Sequence, residues 1–445
     1  MSSLESLPLY LLSYNLNRQR LNGDLLIPKI AESLPDELAL LYIFGVEELC
    51  SVLEASFEEK VNNYLLALTS LLIEALYKKY GLKDVKFQTL SVCHLGAIGM
   101  IAITPYPLKF DKIRTASCSC GYFYSSLKGG VGLRLTYHLN GKDNRMGKKV
   151  DLSFVNVHLP AGEGEYYYKS RIQSLTDLAR SLDFGDGYSL LKPNSHTFIM
   201  GDLNYRTAEK YRHSSEESRR LLSLQDPSQS SASLIRGLVN EYDELNIGKK
   251  NMDLLNEFEE APINFQPTYK YHVNTAIYNS KRSPSWCDRI LFQSTYGSDD
   301  VTLLKKKKNN ADLKTPLIHR YDSIKTLLLS DHQPVFLSIT VPFDPPRSII
   351  SPSGFLQVTP KQKIITGDSD QEDLTEQLIE ISEPFGGPTD VYMKITNLDR
   401  LIQSIIRPLS DSIIANALWF STTPTGRLTT LGLLLTSWAL FYLLT

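Results

Sequence analysis

Three short segments of this chain set acids, an amide and an imidazole directly beside apolar runs. They are Met200-Gly201-Asp202-Leu203-Asn204-Tyr205-Arg206, then Pro284-Ser285-Trp286-Cys287-Asp288-Arg289-Ile290-Leu291, then Ser330-Asp331-His332-Gln333-Pro334-Val335. In an extended segment residues i and i+2 face the same side. Asp202 and Asn204 are therefore expected to converge where the apolar run 197–200 ends. A carboxylate beside a carboxamide can align one water molecule and take its proton. Gly-Asp alone often makes an ordinary turn, but three strand-end clusters of this kind point to one site on a sheet edge. Such residues are the parts of a metal-assisted phosphate hydrolase.

Further candidates follow from position. Glu48 comes after the apolar run 41–46, where a strand-end carboxylate can bind a hard cation such as Mg²⁺. Glu47 competes with it, and both are equally readable as acids at a helix start. Asn15, at the end of the first strand, is readable as a second oxygen ligand. His158 ends the strand-like run 151–157; alone, a histidine there is more often structural than catalytic. Gly129-Gly130 precedes a strand and is readable as a tight turn.

These residues need elements to carry them. Short apolar runs at 9–13 and 38–44 suit buried strands, with helical spacing between them at 24–34. A long helical pattern covers 57–80 and stops at Gly81, as a cap would. Residues 85–104 read as two strands joined near Gly96, and 131–139 with 150–157 as a strand pair. Residues 168–182 place Ile172, Leu175, Leu178, Ala179 and Leu182 on one helical face. The runs 197–200, 289–292 and 335–341 complete the strand set. Hairpins mixed with crossovers predict an α/β sandwich with mixed sheets.

The chain has 445 residues, 42% hydrophobic and 22% charged, with a formal net charge of −2. That balance excludes a globally basic nucleic-acid binder. Five cysteines without regular spacing argue for a reducing compartment and against a disulfide framework. No signal-peptide pattern opens the chain.

After Pro342, Pro345 and Pro346 the composition changes, and residues 344–391 read as a flexible linker. Helical spacing returns at 392–406, within a juxtamembrane region, 392–420, that is expected to lie on a bilayer or dock on the catalytic domain. Lys305 to Lys308 form a basic run, either a solvated loop tip or an attraction to anionic lipid. Residues 428–445 carry no charge, with Arg427 just before them. As a helix they span roughly 27 Å, about the hydrocarbon thickness of the endoplasmic reticulum. The expectation is a transmembrane tail anchor that leaves the upstream chain in the cytosol; a buried core helix is the alternative.

The ordered set S-Y-N, G-V-E-E, K-G-G-V, V-N-V-H-L, M-G-D-L-N-Y-R, P-T-Y-K-Y, P-S-W-C-D-R-I-L and S-D-H-Q-P-V resembles the inositol polyphosphate 5-phosphatase family. The resemblance covers roughly residues 8 to 343, is most specific at W-C-D-R-I-L and G-D-L-N-Y-R, and runs closest to fungal tail-anchored members of the endoplasmic reticulum. It implies a DNase-like four-layer α/β sandwich with two mixed β-sheets, a catalytic domain at 1–343, and Mg²⁺. By match, Glu48, Asn15 and Asp331 belong at the metal. Asp202 matches the residue that activates water, Asn204 one that positions water and phosphate, and His158 one that contacts the scissile phosphate. Asp288 matches the partner of the His332 imidazole. Tyr269 and Lys270, with Lys281 or Arg282, match residues that grip a neighbouring 4-phosphate; Lys128 and Arg289 are further expected contacts or supports. Where the family usually has asparagine, Leu127 precedes Lys128-Gly129-Gly130, which bears on selectivity at that loop more than on activity.

The implied activity is Mg²⁺-dependent removal of the 5-phosphate of phosphatidylinositol 4,5-bisphosphate, with a membrane and a phosphoinositide as partners and no nucleic acid. The alternatives are a sphingomyelinase-type phosphodiesterase of the same fold and a catalytically silent phosphoinositide-binding adaptor.

Overall fold

Most strands here are buried on both faces, which is why they read in sequence as unbroken apolar runs. The computed structural model describes residues 6–81, 85–141, 147–207, 232–251, 255, 257–296, 314–356 and 392–444. Twelve strands are present among these: β1 (Ser6–Asn15), β2 (Leu41–Glu47), β3 (Gln88–Leu95), β4 (Ile98–Thr104), β5 (Phe110–Ser119), β6 (Gly129–His138), β7 (Lys149–His158), β8 (Ser195–Asp202), β9 (Phe258–Glu260), β10 (Asp288–Gln293), β11 (Leu317–Ser323) and β12 (Val335–Pro342). They form two six-stranded sheets, ordered β11-β12-β1-β2-β4-β3 and β5-β6-β7-β8-β10-β9. Within them β1–β2 and β7–β8 run parallel and the other pairs antiparallel, so both sheets are mixed as expected.

Period-two alternation sorts each strand between layers. In β1, Leu7, Leu9 and Leu11 enter the core between the sheets, while Tyr10, Leu12 and Tyr14 face an outer layer. In β8 and β10, Phe198, Met200, Ile290 and Phe292 point inward, whereas Ile199 and Leu291 point to the opposite outer layer. Helices α1 (Gly23–Ser33) and α2 (Glu58–Tyr80) cover the first sheet, and α3 (Glu165–Ser181) covers the second. The result is helix, sheet, sheet, helix. Helix α1 starts where the Asn22 Oδ1 accepts the Asp24 N–H at 3.0 Å, and α2 ends at Gly81 with φ +83°. Two short helices follow, α4 (Ala232–Tyr242) and α5 (Glu244–Lys250).

Two boundaries differ from expectation. The second strand reaches Glu47 rather than ending at 44, because its parallel register with β1 pairs Asn15 with Glu47. The linker does not begin at 344: Ile349 and Ile350 are buried in the outer layer beside α3, and the Arg347 N–H donates to the Thr295 carbonyl at 2.7 Å. Residues 357–391 of the expected linker, and Lys305 to Lys308, lie outside the described residues.

Beyond them come α6 (Asn397–Leu401), a π-helical turn (Ile402–Ile406), α7 (Arg407–Thr422) and α8 (Pro424–Leu444). Helix α8 has 21 residues, a hydropathy of 1.4 and no buried share in its apolar window, and is long and apolar enough to cross a membrane.

Candidate active site

Strand register alone brings three of the expected residues into a row. On the second sheet His158 of β7 sits opposite Asp202 of β8, and Asp202 opposite Asp288 of β10. Gly201 makes the approach feasible: its φ is +134°, and a Cβ there would lie 2.0 Å from the Val157 carbonyl oxygen. The first sheet contributes Asn15, whose Nδ2–H donates across to Asp202 Oδ2 at 3.0 Å. Asn156 ties the two sheets beneath the site, donating to the Val46 and Gly99 carbonyls at 3.2 and 3.0 Å.

His332, just before β12, closes the row. Its Nδ1 lies 3.0 Å from Asp288 Oδ2, which also accepts the Thr268 hydroxyl at 2.6 Å. Ligand atoms of Asp202, Asp288 and His332 lie within 4.8 Å of one another, and all three residues are buried. Burial opposes charge on the imidazole, but the Asp288 and Asp202 carboxylates outweigh it and push His332 up to about 9. Burial likewise works against ionised Asp202, yet His332, His158 and Lys128 hold its carboxyl below the usual carboxylate range. The arrangement favours an ionised acid facing a charged imidazole.

Lys128 completes this side. Its ammonium contacts His158 Nε2, which is also 3.3 Å from Asp202 Oδ2. Burial pulls the lysine down from its ordinary value, and burial with the nearby Lys128 charge does the same to His158. Gly129 permits the loop to enter β6: its φ is +152°, and a Cβ would meet the Cys118 carbonyl oxygen at 2.3 Å.

Asp202 and Asn204 meet differently from the extended spacing expected of them. Asn204 has φ +56°, and its backbone N–H donates to Asp202 Oδ1 at 3.1 Å, a short aspartate-centred turn. Its carboxamide donates to the Leu159 carbonyl at 3.1 Å and accepts from the Arg206 guanidinium.

The two adjacent glutamates diverge. Glu47 ends β2 fully buried, accepts the Ser13 hydroxyl at 3.4 Å, and leaves Oε2 without a hydrogen-bond partner. Burial and the Asp202 and Asp288 charges raise its carboxyl well above the ordinary range. Glu48 has φ +47°, is partly exposed, and pairs with Arg18 at 3.3 Å; its charge still reaches Lys128 and His158. Carboxylate and amide oxygens at the paired ends of β1 and β2, one of them buried and unpartnered, fit a hard cation such as Mg²⁺.

At the mouth, the Tyr269 ring lies 4.6 Å from the His332 ring, and Lys270 Nζ reaches Asp331 Oδ2 at 2.8 Å. Asp331 therefore holds a lysine and stands outside the close carboxylate–imidazole group, in contrast to its expected place at the metal. Lys281 and Arg282 are exposed, with Arg282 close enough to act electrostatically on Lys270.

Arg289 is a correction. It is 1% exposed, with its guanidinium on Asp243 at 2.8 Å and on Glu260 at 2.5 Å, so it braces β10 against α5 and β9 and contacts no substrate space. Its position one residue after Asp288 turns it to the other face of the strand.

Residues 12–338 match the family model described as Endonuclease/Exonuclease/phosphatase family 2. Inositol polyphosphate 5-phosphatase K of Mus musculus is 28% identical over 345 residues, 75% of this chain and 62% of that protein. Phosphatidylinositol 4,5-bisphosphate 5-phosphatase A of Homo sapiens is 27% identical over 57% of this chain and 23% of its own length. The chain belongs to the inositol polyphosphate 5-phosphatase family. It spans well under two thirds of several relatives, down to 16% of Rattus norvegicus synaptojanin-2. In fold, this 5-phosphatase family member resembles the inositol polyphosphate 5-phosphatase domain of SPsynaptojanin, solved with inositol (1,4)-bisphosphate and calcium ion. The TM-score is 0.57 at 24% identity, over 76% of this chain and 84% of that one. Phosphatases of this fold generally depend on a divalent metal.

Two residues of this family member's site escaped notice in sequence. Arg206 is buried, holds Asn204 and stacks 4.3 Å from the Tyr269 ring centre. Thr268 anchors Asp288. Both lie inside the quoted motifs, so the signal was adjacency to residues already singled out.

Proposed function

We propose that this protein is a Mg²⁺-dependent phosphoinositide 5-phosphatase that converts phosphatidylinositol 4,5-bisphosphate to phosphatidylinositol 4-phosphate. The observation that carries the reading is the close group of Asp202, Asp288 and His332, with His158 and Lys128 on one flank and Lys270 on the other. Family membership and a relative named for that lipid support it.

In this reading Asp202 orients the attacking water and takes its proton, and Asn15 steadies that carboxylate. A phosphate monoester transition state spreads charge over its oxygens. His332, held cationic by Asp288, and the His158–Lys128 pair offset that charge. Asn204, fixed by Arg206 and Leu159, positions the phosphate through its backbone and amide. Glu48, Glu47 and Asn15 would hold the metal, which when bound would supply Lewis-acid polarisation of a phosphoryl oxygen. Tyr269 and Lys270, with Lys281 or Arg282, receive the neighbouring 4-phosphate. Helix α8 anchors the chain in the endoplasmic reticulum membrane with the catalytic domain on the cytosolic side; its length and apolarity support the anchoring.

The test is phosphate release from 4,5-, 3,5- and 3,4,5-phosphorylated lipids, with and without chelator. Release from the 4,5-bisphosphate that stops on chelation, and falls by about 10³-fold in Asp202→Ala, is expected from loss of a general base. Turnover that survives chelation refutes the metal assignment.

A further inference from the structure

The helix spanning 397–422 has two faces with different tasks. One face is polar and fastened to the catalytic domain. Gln403 Oε1 accepts the Ser119 backbone N–H at 3.0 Å, and Arg407 donates to the Ser117 hydroxyl at 3.0 Å. The Ser410 hydroxyl donates to the Phe123 carbonyl at 2.6 Å. Asp411 accepts both the backbone N–H and the hydroxyl of Ser126, at 2.7 and 2.6 Å. At the start of the helix Asp399 pairs with Arg180 at 3.1 Å, and Arg400 with Asp183 at 3.1 Å. Residues 403, 407 and 411 recur at helical spacing, so these contacts share one side.

The opposite side is apolar and bare. Leu398, Leu401, Ile405, Leu409 and Ile413 are between 48% and 64% exposed. Beside the docked face, Tyr122 and Phe123 project at 77% and 84% exposure. An apolar stripe of this length, left in water, calls for a cover. Three features identify the cover as a phospholipid bilayer. Only Thr423 separates α7 from α8, the one described helix apolar and long enough to cross a membrane. Trp419 and Phe420 stand at that junction, where aromatic side chains sit at headgroup level. The stripe lies on a helix with a firmly polar reverse face, the pattern of helices that lie in the interface plane.

The loop held by the polar face leads straight into the site. Ser126 precedes Lys128 by two residues, and Lys128 touches His158. We propose that the 397–422 helix is a membrane-seated clamp. Its apolar face rests on the bilayer while Gln403 and Asp411 fix the loop that positions Lys128 beside the phosphoryl site. This rests on the phosphatase reading and on insertion of α8.

The test uses the full chain on phosphatidylcholine vesicles carrying phosphatidylinositol 4,5-bisphosphate. A photo-crosslinking amino acid in place of Ile413 should label lipid, and one in place of the exposed Leu66 on α2 should not. An adduct to a second copy of the chain, or none, overturns the bilayer contact. The paired change Leu409→Ser and Ile413→Ser, both on exposed positions, should lower vesicle turnover by about tenfold while a water-soluble inositol phosphate is cleaved within about twofold of normal. Equal loss on both substrates, or on neither, overturns it as well. Asp411→Ala should lower kcat on both substrates at unchanged KM, and Asp411→Asn, which still accepts the Ser126 N–H, should recover most of it. Unchanged kcat in Asp411→Ala sinks the clamp. Crosslinking needs no turnover, so a wild-type chain that releases no phosphate would refute the phosphatase reading alone, and the adduct would still decide the bilayer contact.

Discussion

The Lys270–Asp331 pair at 2.8 Å separates the two neighbouring roles at the site. Lys270 is a point charge with its ammonium at the mouth, held there by a carboxylate that is itself nearly buried. In the proposed function, its removal takes away a charge-assisted contact to the substrate's second phosphate and leaves Asp331 uncompensated there. A hydrogen bond to a charged group is worth about 1.5–3 kcal/mol, or roughly ten- to a hundredfold in binding. Lys270→Ala should therefore raise KM for the 4,5-bisphosphate by that factor with little change in kcat. A substrate without the 4-phosphate should be almost indifferent to it. Steady-state kinetics on the two substrates checks this; an equal loss on both would move Lys270 from recognition to the chemistry. Glu47 makes a different point at this scale. Two adjacent acids are indistinguishable as letters, and only the strand register buries one and turns the other toward Arg18.

At the scale of elements, a buried ion cluster braces the edge of the second sheet. Arg289 lies between Asp243 of the α5 N-terminus and Glu260 of β9, and its removal would leave two largely buried carboxylates without their counter-ion, held only by the Asn246 N–H and the Tyr321 hydroxyl. Breaking such a set by deleting one member costs about 3–5 kcal/mol. Arg289→Ala should lower the denaturant midpoint accordingly, while the folded fraction keeps its KM. His196 in β8 adds a pH dependence. It is fully buried against Tyr296 and the Phe343 carbonyl, and burial pulls its imidazole down to about 4. The unfolded chain takes up that proton near 6.5, so below that pH the unfolded state binds more protons than the folded one. Stability should fall as pH drops from about 6.5 to about 4, by about 3 kcal/mol at 1.36 per unit. Urea titrations of wild type and His196→Phe across that window should differ in slope.

These elements also show what the sequence could convey. Strands β4, β8, β10 and β12 were legible because both faces are buried and their central letters are largely apolar. Strand β5, Phe-Asp-Lys-Ile-Arg-Thr-Ala-Ser-Cys-Ser, was missed: it lies at a sheet edge with six of its ten residues partly or fully exposed, so neither pattern dominates. Strand β11 is an edge for the same reason, and its register shifts between Ile318 and Arg320. The site's row of Asp202, Asp288 and His332 was legible as three strand ends. Arg289 was not, because an arginine beside a catalytic acid looks the same whether it faces the cleft or the reverse side.

On the scale of the whole molecule, the proposed seating on a bilayer has two parts, helix α8 and the 397–422 helix, and they are separable. Helix α8 buries only Gly426, against α7, and none of its apolar window, so deleting the residues after Gly426 removes nothing from the core. The clamp helix, in contrast, makes its hydrogen bonds to β5 and the 119–126 loop through residues that all precede Thr423. A chain ended at Gly426 should therefore keep its folded site and cleave a water-soluble inositol phosphate at near the full rate. It should also leave the membrane pellet on carbonate extraction, because an interfacial helix alone binds reversibly whereas a spanning helix does not. Its turnover on vesicle substrate should fall by about a hundredfold or more, the loss of effective concentration that tethering provides. Residual weak vesicle binding by this truncated chain, abolished by the paired Leu409→Ser and Ile413→Ser change, would assign that binding to the clamp. Retention in the carbonate pellet as firm as that of the full chain would show that α8 is not the anchor.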